Sequence, residues 1–241
     1  MPPSRFLELF LGRRDALGEE DRRALAAVPI RRRSYEGGDT IIAEGPAPDE
    51  SCLLISGMAM RVHRIGAEER VVSALHVPGD FVDLHAFLLR HLDHDVVAVG
   101  PCTVEFVPAK ALVELTRTNP HLARLLWLAT LIDAKVHRVW IATGAALLAP
   151  QRIGHLLCEL HARLGAVGLA EGDRFAMPLE QRGLAEVLGY SVAHTNRAVQ
   201  DLRARGLLVW EDGAVDLPDP AALAALCGFE ADYLELDRVP R

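Results

Sequence analysis

Four polar side chains near residue 195 could form hydrogen bonds with the edges of nucleic-acid bases. Ser191, His194, Arg197 and Gln200 follow one another at intervals of three residues, which makes each a neighbour of the next on the surface of one helix. An arginine can donate two hydrogen bonds to guanine O6 and N7, and a glutamine can pair with adenine. The pattern therefore predicts a helix that presents these side chains outward and reads a DNA sequence.

A second group of side chains has the chemistry of metal ligands. His85, His91 and His94 lie within ten residues of chain, beside three aspartates, and imidazole is a suitable ligand for iron and zinc. Their spacing matches no standard zinc pattern, and a polar, solvated loop is the alternative explanation. We therefore expect no bound metal, and these three histidines are the candidate ligands if one is present.

The elements that must position the first group form a helix-turn-helix. Leu184, Val187 and Leu188 give a first short helix its apolar stripe. Gly189 is suited to end that helix because glycine tolerates a positive φ. Ser191 can cap the second helix by accepting a free backbone N–H. An ordinary helical hairpin in a protein core is the alternative interpretation.

The residues after the second helix favour DNA binding over a helical hairpin. Gly206 ends that helix, and two apolar runs, Leu207–Trp210 and Ala214–Leu217, flank the turn Glu211-Asp212-Gly213. An Asp-Gly step between such runs predicts a β-hairpin. A helix-turn-helix followed by a hairpin is a winged helix, whose second helix enters the major groove of DNA. Pro220–Leu226 then predicts a closing helix, and the residues from Phe229 onward predict a loosely docked tail.

Residues 35–108 have the pattern of an antiparallel β domain. Short apolar segments alternate with turns rich in Gly, Pro and Asp, which is typical of a barrel or jelly roll. The predicted strands are 40–43, 52–55, 59–65, 71–76, 96–99 and 103–107. The period changes over residues 81–92, which predict a helical turn embedded in the roll.

A long helix is predicted between the two parts. Asn119 can cap it, Pro120 suits its first turn, and it should run to about Leu148. The Ala149-Pro150 step then breaks the helix and forms a hinge.

Along this helix, apolar residues recur at alternate spacings of three and four, as in a coiled-coil seam. We therefore expect the helix to pair with a second copy of the chain through this seam. The predicted dimer interface consists of Leu122, Leu125, Ala129, Ile132, Val136, Val139 and Thr143. Leu128, Leu131 and Ile141 lie off the seam and are expected to pack on the β domain.

The composition indicates a globular cytoplasmic protein. Of the 241 residues 50% are hydrophobic and 24% charged, yet no apolar run approaches the roughly 20 residues that cross a bilayer. The first apolar stretch is too short for a signal peptide, and four separated cysteines indicate reduced thiols. A net charge of −7 means that any DNA contact must come from a local patch.

The order of these parts resembles that of the CRP/FNR family of bacterial transcription regulators. The segments that carry the resemblance are GGDTIIAEG (37–45), LLISGMAMRV (53–62), VPGDF (77–81), the helix from Asn119, and GLAEVLGYSVAHTNRAVQDLRARGLL (183–208). The resemblance covers residues 20–220 and implies an α+β fold. Its parts are an N-terminal antiparallel β-roll similar to a cyclic-nucleotide-binding domain (residues 1–118), a dimerisation helix (119–149) and a C-terminal winged helix-turn-helix domain (150–241).

The resemblance also implies partners. The chain should form a homodimer that binds a palindromic operator in double-stranded DNA, and RNA polymerase is a further candidate partner. No membrane contact and no enzymatic activity are implied.

The segment after VPGDF departs from family members that bind cyclic AMP. Those members hold the nucleotide with a Gly-Glu pair and then an Arg-Ser pair. Here Asp83 stands near the glutamate, and Leu92 and Asp93 stand near the arginine and serine. A carboxylate repels a phosphate, so we expect no cyclic-AMP binding.

Other members carry an N-terminal cysteine cluster, but no cysteine precedes Cys52, so an iron–sulfur cluster is not expected either. An apolar or weakly polar small ligand, or no ligand, remains. The predicted effector pocket consists of Phe81, Asp83, Leu84, His85, Arg90 and His91.

The resemblance places the DNA contacts on the second helix of the helix-turn-helix. The assigned residues are Ser191, Val192, Ala193, His194, Arg197, Gln200 and Arg203. Many members have Arg and Glu where this chain has Val192 and Ala193, so a GTGA-like half-site should not be recognised strongly. Arg197 keeps the family match and is predicted to read a guanine.

We therefore predict a dimeric, sequence-specific DNA-binding transcription regulator that is controlled by a small signal sensed in the β-roll. Two alternatives stay open at this point. One is a constitutive DNA-binding dimer in which the roll is only a scaffold. The other is a metal-dependent enzyme on a cupin-like barrel that uses the three histidines as ligands.

Overall fold

The fold consists of a β-roll, a long helix and a C-terminal helical domain with a small sheet. A computed structural model describes residues 5–46, 48–66 and 69–240. Residues 1–4, where the predicted roll domain begins, and Arg241, where the predicted tail ends, lie outside the described residues. Within the described ranges, no helix combines the length and apolarity needed to cross a membrane.

Two helices, α1 (Arg5–Gly12) and α2 (Glu19–Ala26), precede the roll. Its strands, all paired antiparallel, are β1 (Arg31–Tyr35), β2 (Thr40–Ile42), β3 (Gly45–Pro46), β4 (Glu50–Ser56), β5 (Ala59–Ile65), β6 (Glu69–His76), β7 (His91–Leu92), β8 (Asp95–Ala98) and β9 (Cys102–Pro108). They form sheets of order β1-β9-β4, β2-β8-β5-β6 and β3-β7. Each predicted strand lies in one of them, with ends shifted by up to two residues.

Strand β1 was not predicted because its sequence, RRRSY, has no apolar alternation. Its arginines are exposed and cover aromatic rings instead. The Arg31 guanidinium lies 4.5 Å from the centre of the Phe106 ring, and that of Arg33 lies 4.9 Å from the Tyr35 ring. Such cation–π contacts let a charged segment form an edge strand. The predicted helical segment 81–92 is a 3-10 helix over Leu84–Phe87, and its last residues form β7.

Helix α3 (Ala109–Thr118) leads into the long helix α4 (Pro120–Ala146). As predicted, Asn119 caps α4, because its side chain accepts the backbone N–H of Leu122 at 2.9 Å. The helix ends slightly before the predicted Leu148, and α5 (Ala149–Gly165) begins at the predicted break.

The seam of α4 that was predicted to bind a second chain faces the chain's own core instead. Leu122 and Leu125 are fully buried against residues of α1 and α3, and Val136 is also buried. These three side chains are therefore already covered and cannot form an interface with another molecule. The remaining members of the seam, Ala129, Ile132, Val139 and Thr143, are half-buried.

The opposite face of α4, expected to pack on the roll, carries exposed apolar residues. Ile141 is 74% exposed, Trp127 67% and Leu131 47%, while Leu128 is half-buried. The expectation that Leu131 and Ile141 pack on the β domain is therefore wrong, because heptad spacing defines stripes on a helix without showing which neighbour covers each stripe.

The C-terminal domain contains the predicted helix-turn-helix and wing. Its elements are β10 (Ala170–Glu171), β11 (Arg174–Ala176), α6 (Gln181–Leu188), α7 (Val192–Ala204), β12 (Val209–Glu211), β13 (Ala214–Asp216) and α8 (Pro220–Cys227). The predicted hairpin is β12–β13, and an unpredicted hairpin, β10–β11, extends it to a sheet of order β10-β11-β13-β12. After α8, a 3-10 helix over Ala231–Leu234 packs against α4 and α5, with Leu234 buried. The first part of the predicted loose tail is therefore docked, whereas residues 237–240 are exposed.

A buried carboxylate joins the parts of this fold. Glu159 of α5 is fully buried and accepts hydrogen bonds from Trp140 Nε1 of α4 at 3.0 Å and from the Tyr233 hydroxyl at 2.7 Å. Arg163 donates to Glu159 at 2.8 Å and to Asp80, beyond β6, at 2.5 Å. One chain of charged hydrogen bonds thus connects the roll, α4, α5 and the C-terminal segment.

Replacement of Glu159 by alanine should lower the free energy of unfolding by about 3–5 kcal/mol, because it removes the buried carboxylate that accepts hydrogen bonds from the half-buried Arg163, Trp140 and Tyr233. Urea denaturation followed by circular dichroism measures this change. The matched control is Glu114→Ala, which removes an exposed partner of Arg117 and should leave the midpoint nearly unchanged. Equal losses in both variants would contradict the role given to Glu159.

Candidate functional site

Helix α7 has one buried and one exposed side, as a helix that enters the major groove of DNA requires. Thr195, Ala198, Val199 and Leu202 are buried in the domain core. Six of the seven residues predicted to contact DNA are exposed: Ser191, Val192, Ala193, His194, Arg197 and Gln200. The structure therefore brings these six side chains together on one accessible surface.

Local sequence explains how α7 is positioned. Gly189 has φ +68°, in the left-handed region that glycine tolerates, and so ends α6 in a tight turn. The Ser191 hydroxyl accepts the His194 backbone N–H at 3.2 Å and caps α7. Ser191 is thus occupied as a cap as well as lying on the exposed surface.

Arg203, the seventh predicted contact, is half-buried and has a partner within the chain. Its guanidinium donates to the Trp210 carbonyl at 2.6 Å and ties the end of α7 to β12. Arg152 of α5 plays a similar part at the turn, since it donates to the Leu188 carbonyl at 2.8 Å and covers the Tyr190 ring. Sequence reasoning missed both contacts, and no local pattern signals the Arg152 contact because its partners lie far along the chain.

Polar side chains fill the space between the roll and α4. Arg61 of β5 is buried and donates to Asp133 at 3.2 Å and to the Val82 carbonyl at 2.9 Å, and it lies 2.8 Å from His137 Nε2. Beside it the rings of His85 and His94 are 5.5 Å apart. Burial lowers the pKa of His94 to about 4, which keeps this imidazole neutral at physiological pH.

The residues of the predicted effector pocket do not assemble into one site. Phe81, Leu84 and His85 line a cavity beside α4. Asp83 is fully buried elsewhere, and Arg90 and His91 are exposed and do not line the cavity. The prediction grouped these residues because they lie close together in the segment that follows VPGDF, and the turn into β7 separates them.

The three candidate metal ligands also diverge. His91 is exposed in β7, away from the pair formed by His85 and His94, and His94 Nδ1 lies 2.7 Å from Asp93. In the described ranges 5–46, 48–66 and 69–240, no group of three or more His, Cys, Asp or Glu side chains is arranged to hold a metal ion.

Comparison with known proteins agrees with this architecture. Residues 32–119 match the family model of the cyclic nucleotide-binding domain, and residues 151–226 match that of the Crp-like helix-turn-helix domain. The chain belongs to the CRP/FNR family. Helix α7 therefore lies in the helix-turn-helix DNA-binding domain of a transcription regulator.

Individual CRP/FNR relatives cover most of this chain. The transcriptional activator protein FnrL of Cereibacter sphaeroides is 26% identical over 204 residues, which are 83% of this chain and 82% of FnrL. The nitrogen fixation regulation protein FixK of Rhizobium meliloti is 26% identical over 201 residues, 80% of this chain and 86% of FixK. The structure of FixK2 from Bradyrhizobium japonicum shares the fold, with a TM-score of 0.74 at 21% identity over 83% of this chain and 98% of that one.

In this CRP/FNR chain, Asp83 has a structural environment that disfavours its charge. One carboxylate oxygen accepts the Cys52 backbone N–H at 2.6 Å, and the other has no hydrogen-bond partner among the described residues. Burial raises the pKa of Asp83 to about 7. Asp83 thus accepts a hydrogen bond from the backbone of β4 and does not line the cavity beside α4.

The pH dependence of stability tests this assignment. The folded chain should hold a proton on Asp83 between about pH 4 and pH 7 that the unfolded chain has lost, since an unfolded aspartate has a pKa near 3.9. Stability must fall with rising pH over this window. Relative to Asp83→Asn, the free energy of unfolding of the wild type should therefore decrease by about 3–4 kcal/mol from pH 4 to pH 8.

Denaturant titrations across this pH range measure the difference, and the exposed Asp173→Asn variant controls for the loss of one carboxylate. If the free energy of unfolding changes with pH by the same amount in the wild type and in Asp83→Asn, the raised pKa of Asp83 is contradicted.

Proposed function

We propose that this protein is a homodimeric, sequence-specific transcription regulator that binds a palindromic DNA operator in the cytoplasm and responds to a small signal. The observation that carries the proposal is the exposed polar surface of α7 beside the β12–β13 wing. The half-buried His63 and His137 and the buried His94 have polar partners in Ser73, Arg61 and Asp93, which supports a structural role for these three histidines.

Arg197 is the best candidate for direct base reading. It is exposed in the first half of α7, the part of a recognition helix that lies deepest in the major groove. Its fork of donors matches O6 and N7 of guanine. Val192, 45% exposed, and Ala193 offer apolar contacts suited to a thymine methyl group.

The exposed face of α4 is the proposed dimer interface. Trp127, Leu131, Ala134, Arg138 and Ile141 are spaced alternately by four and three residues, the heptad spacing of a helix pair. Three of them are large, exposed apolar side chains, and a second copy of α4 would cover them. Parallel pairing would place the two copies of α7 on the same side of the dimer, as half-sites about 34 Å apart require.

Removal of the Arg197 side chain should selectively reduce base discrimination. Arg197→Ala should lose about 1–3 kcal/mol of preference for the operator over a site changed at one base pair per half-site. Operators selected from genomic fragments, followed by fluorescence anisotropy at fixed salt, provide the measurement. Arg205→Ala removes an exposed arginine that is paired with Asp201 at the end of the same helix. It should weaken the binding of all DNA sequences equally. An unchanged discrimination ratio in Arg197→Ala would refute the assignment.

A charge introduced on the exposed face of α4 should dissociate the dimer. Leu131→Glu places two carboxylates in the proposed apolar contact, so light scattering after gel filtration should give a monomer mass where the wild type gives a dimer. Leu88→Glu alters a leucine of the roll that is 74% exposed, more than Leu131, and should remain dimeric. A monomeric wild type, or a dimeric Leu131→Glu variant, would overturn this interface.

A further inference from the structure

A cavity of about 70 Å³ lies where the roll, α1, α4 and the DNA-binding domain meet. We call it the junction cavity. Arg13 and Arg14 after α1, His76 at the end of β6, Asp133 of α4 and Arg163 of α5 contribute its polar lining. It borders the space between the roll and α4 that Arg61 and the histidines fill, since His85 and Asp133 belong to both, and it is smaller than the pockets that hold nucleotide-sized ligands.

The wall of the junction cavity is mostly apolar. Leucine, phenylalanine, isoleucine and valine side chains from α1, β6 and α4 line it, and Leu234 and Leu236 of the C-terminal segment close one side. Arg14 holds this segment in place by donating to the Leu234 carbonyl at 2.8 Å and to that of Glu235. A ligand in the cavity must therefore bring an apolar body of a few carbon atoms.

The charges around the cavity leave one positive charge in excess. Three guanidinium groups, of Arg13, Arg14 and Arg163, face two carboxylates, of Asp80 and Asp133. The ionic partners of these residues and of the C-terminal segment lie outside the lining, and their charges cancel. Arg61 and Lys135 are positive, and Glu159 and Glu235 are negative. A monoanion balances this excess, whereas a doubly charged phosphate would exceed it.

Two buried polar atoms of the lining lack partners. Arg13 donates from Nη2 to the Gly79 carbonyl at 3.2 Å, but its buried Nε has no hydrogen-bond partner among the described residues, and neither has His76 Nε2. The Nε–H of arginine is always a donor, so it requires an acceptor. Burial also lowers the pKa of Arg13, which an adjacent anion would counteract.

We propose that the junction cavity binds a small carboxylate, with its short apolar body against the leucine- and phenylalanine-rich wall and its oxygens against Arg13 and His76. Arg163 belongs to the DNA-binding domain, and Leu234 and Leu236 follow it, so the ligand would contact both domains at once. We expect such a ligand to change the affinity of the protein for its operator. This expected effect rests on the proposed function, whereas the binding of the carboxylate does not.

Calorimetric titration of the full chain with propionate and butyrate tests the site directly. Both should bind saturably in the millimolar range or tighter, while butanol and butylamine, which lack the carboxylate, should not. Arg13→Gln should weaken binding about tenfold, the effect of losing one charged hydrogen bond. Arg117→Gln, which changes an exposed arginine of α3, should bind like the wild type.

Ala129→Leu provides a second test that keeps every polar group. Ala129 lines the cavity, and three further carbons at this position should fill it, abolishing butyrate binding without lowering the thermal midpoint. Absence of saturable carboxylate binding in the wild type would overturn the site, as would wild-type affinity in both variants or equal binding of butanol. This holds even if Arg13→Gln does not fold.

Operator affinity measured with and without butyrate then tests the coupling. A change that disappears in Ala129→Leu is expected. Carboxylate binding with unchanged operator affinity would refute the coupling alone, and absence of sequence-specific DNA binding under all conditions would refute the proposed function but not the site.

Discussion

The arrangement of the two domains depends on one buried carboxylate that must keep its hydrogen-bond partners. Glu159 is fully buried, and a charge in that position is tolerated only when several donors replace water. Trp140, Tyr233 and Arg163 supply them from α4, the C-terminal segment and α5. Because each donor comes from a different element, satisfying Glu159 fixes α4, α5 and the C-terminal segment relative to one another.

Arg163 extends this constraint to the roll through Asp80, whose other contacts form the turn after β6. Helix α5 is in turn the surface on which the helix-turn-helix packs, and it approaches α8 closely. A Cβ added at Gly154 would lie 2.9 Å from a Leu223 side-chain atom. The exposed surface of α7 therefore has a defined orientation relative to the roll. These charged hydrogen bonds set it together with a buried apolar cluster in which Val62, Leu75 and Val77 of the roll belong with residues of the C-terminal domain.

The features that could be predicted from the sequence are those whose causes are local. Asn119 and Ser191 cap helices, Gly189 turns the chain, and Asp212-Gly213 closes a hairpin, because each effect acts within a few residues. The exposed side of α7 followed from periodicity alone. The covered face of α4, the contact of Arg14 with Leu234 across 220 residues and the docking of the C-terminal segment depend on distant partners that spacing cannot reveal. The effector region shows the same limit, since Phe81, Leu84 and His85 line the junction cavity, whereas Arg90 and His91, a few residues further along, turn away from it.

Two of the polar connections between the roll and the rest of the chain differ in what they can transmit. Arg61 reaches Asp133 and His137 on α4, the helix whose opposite face is exposed at Trp127 and Leu131. The second connection, from Asp80 to Arg163, reaches the DNA-binding domain of the same chain directly. In the proposed dimer, a change at Arg61 would act on the pairing of the two copies of α4, and a change at Asp80 would act on the orientation of α7 within one chain. Because the junction cavity is lined by Asp133 as well as by Asp80 and Arg163, a ligand bound there would contact both connections at once. This shared lining is the physical basis for the proposed coupling between carboxylate binding and operator affinity.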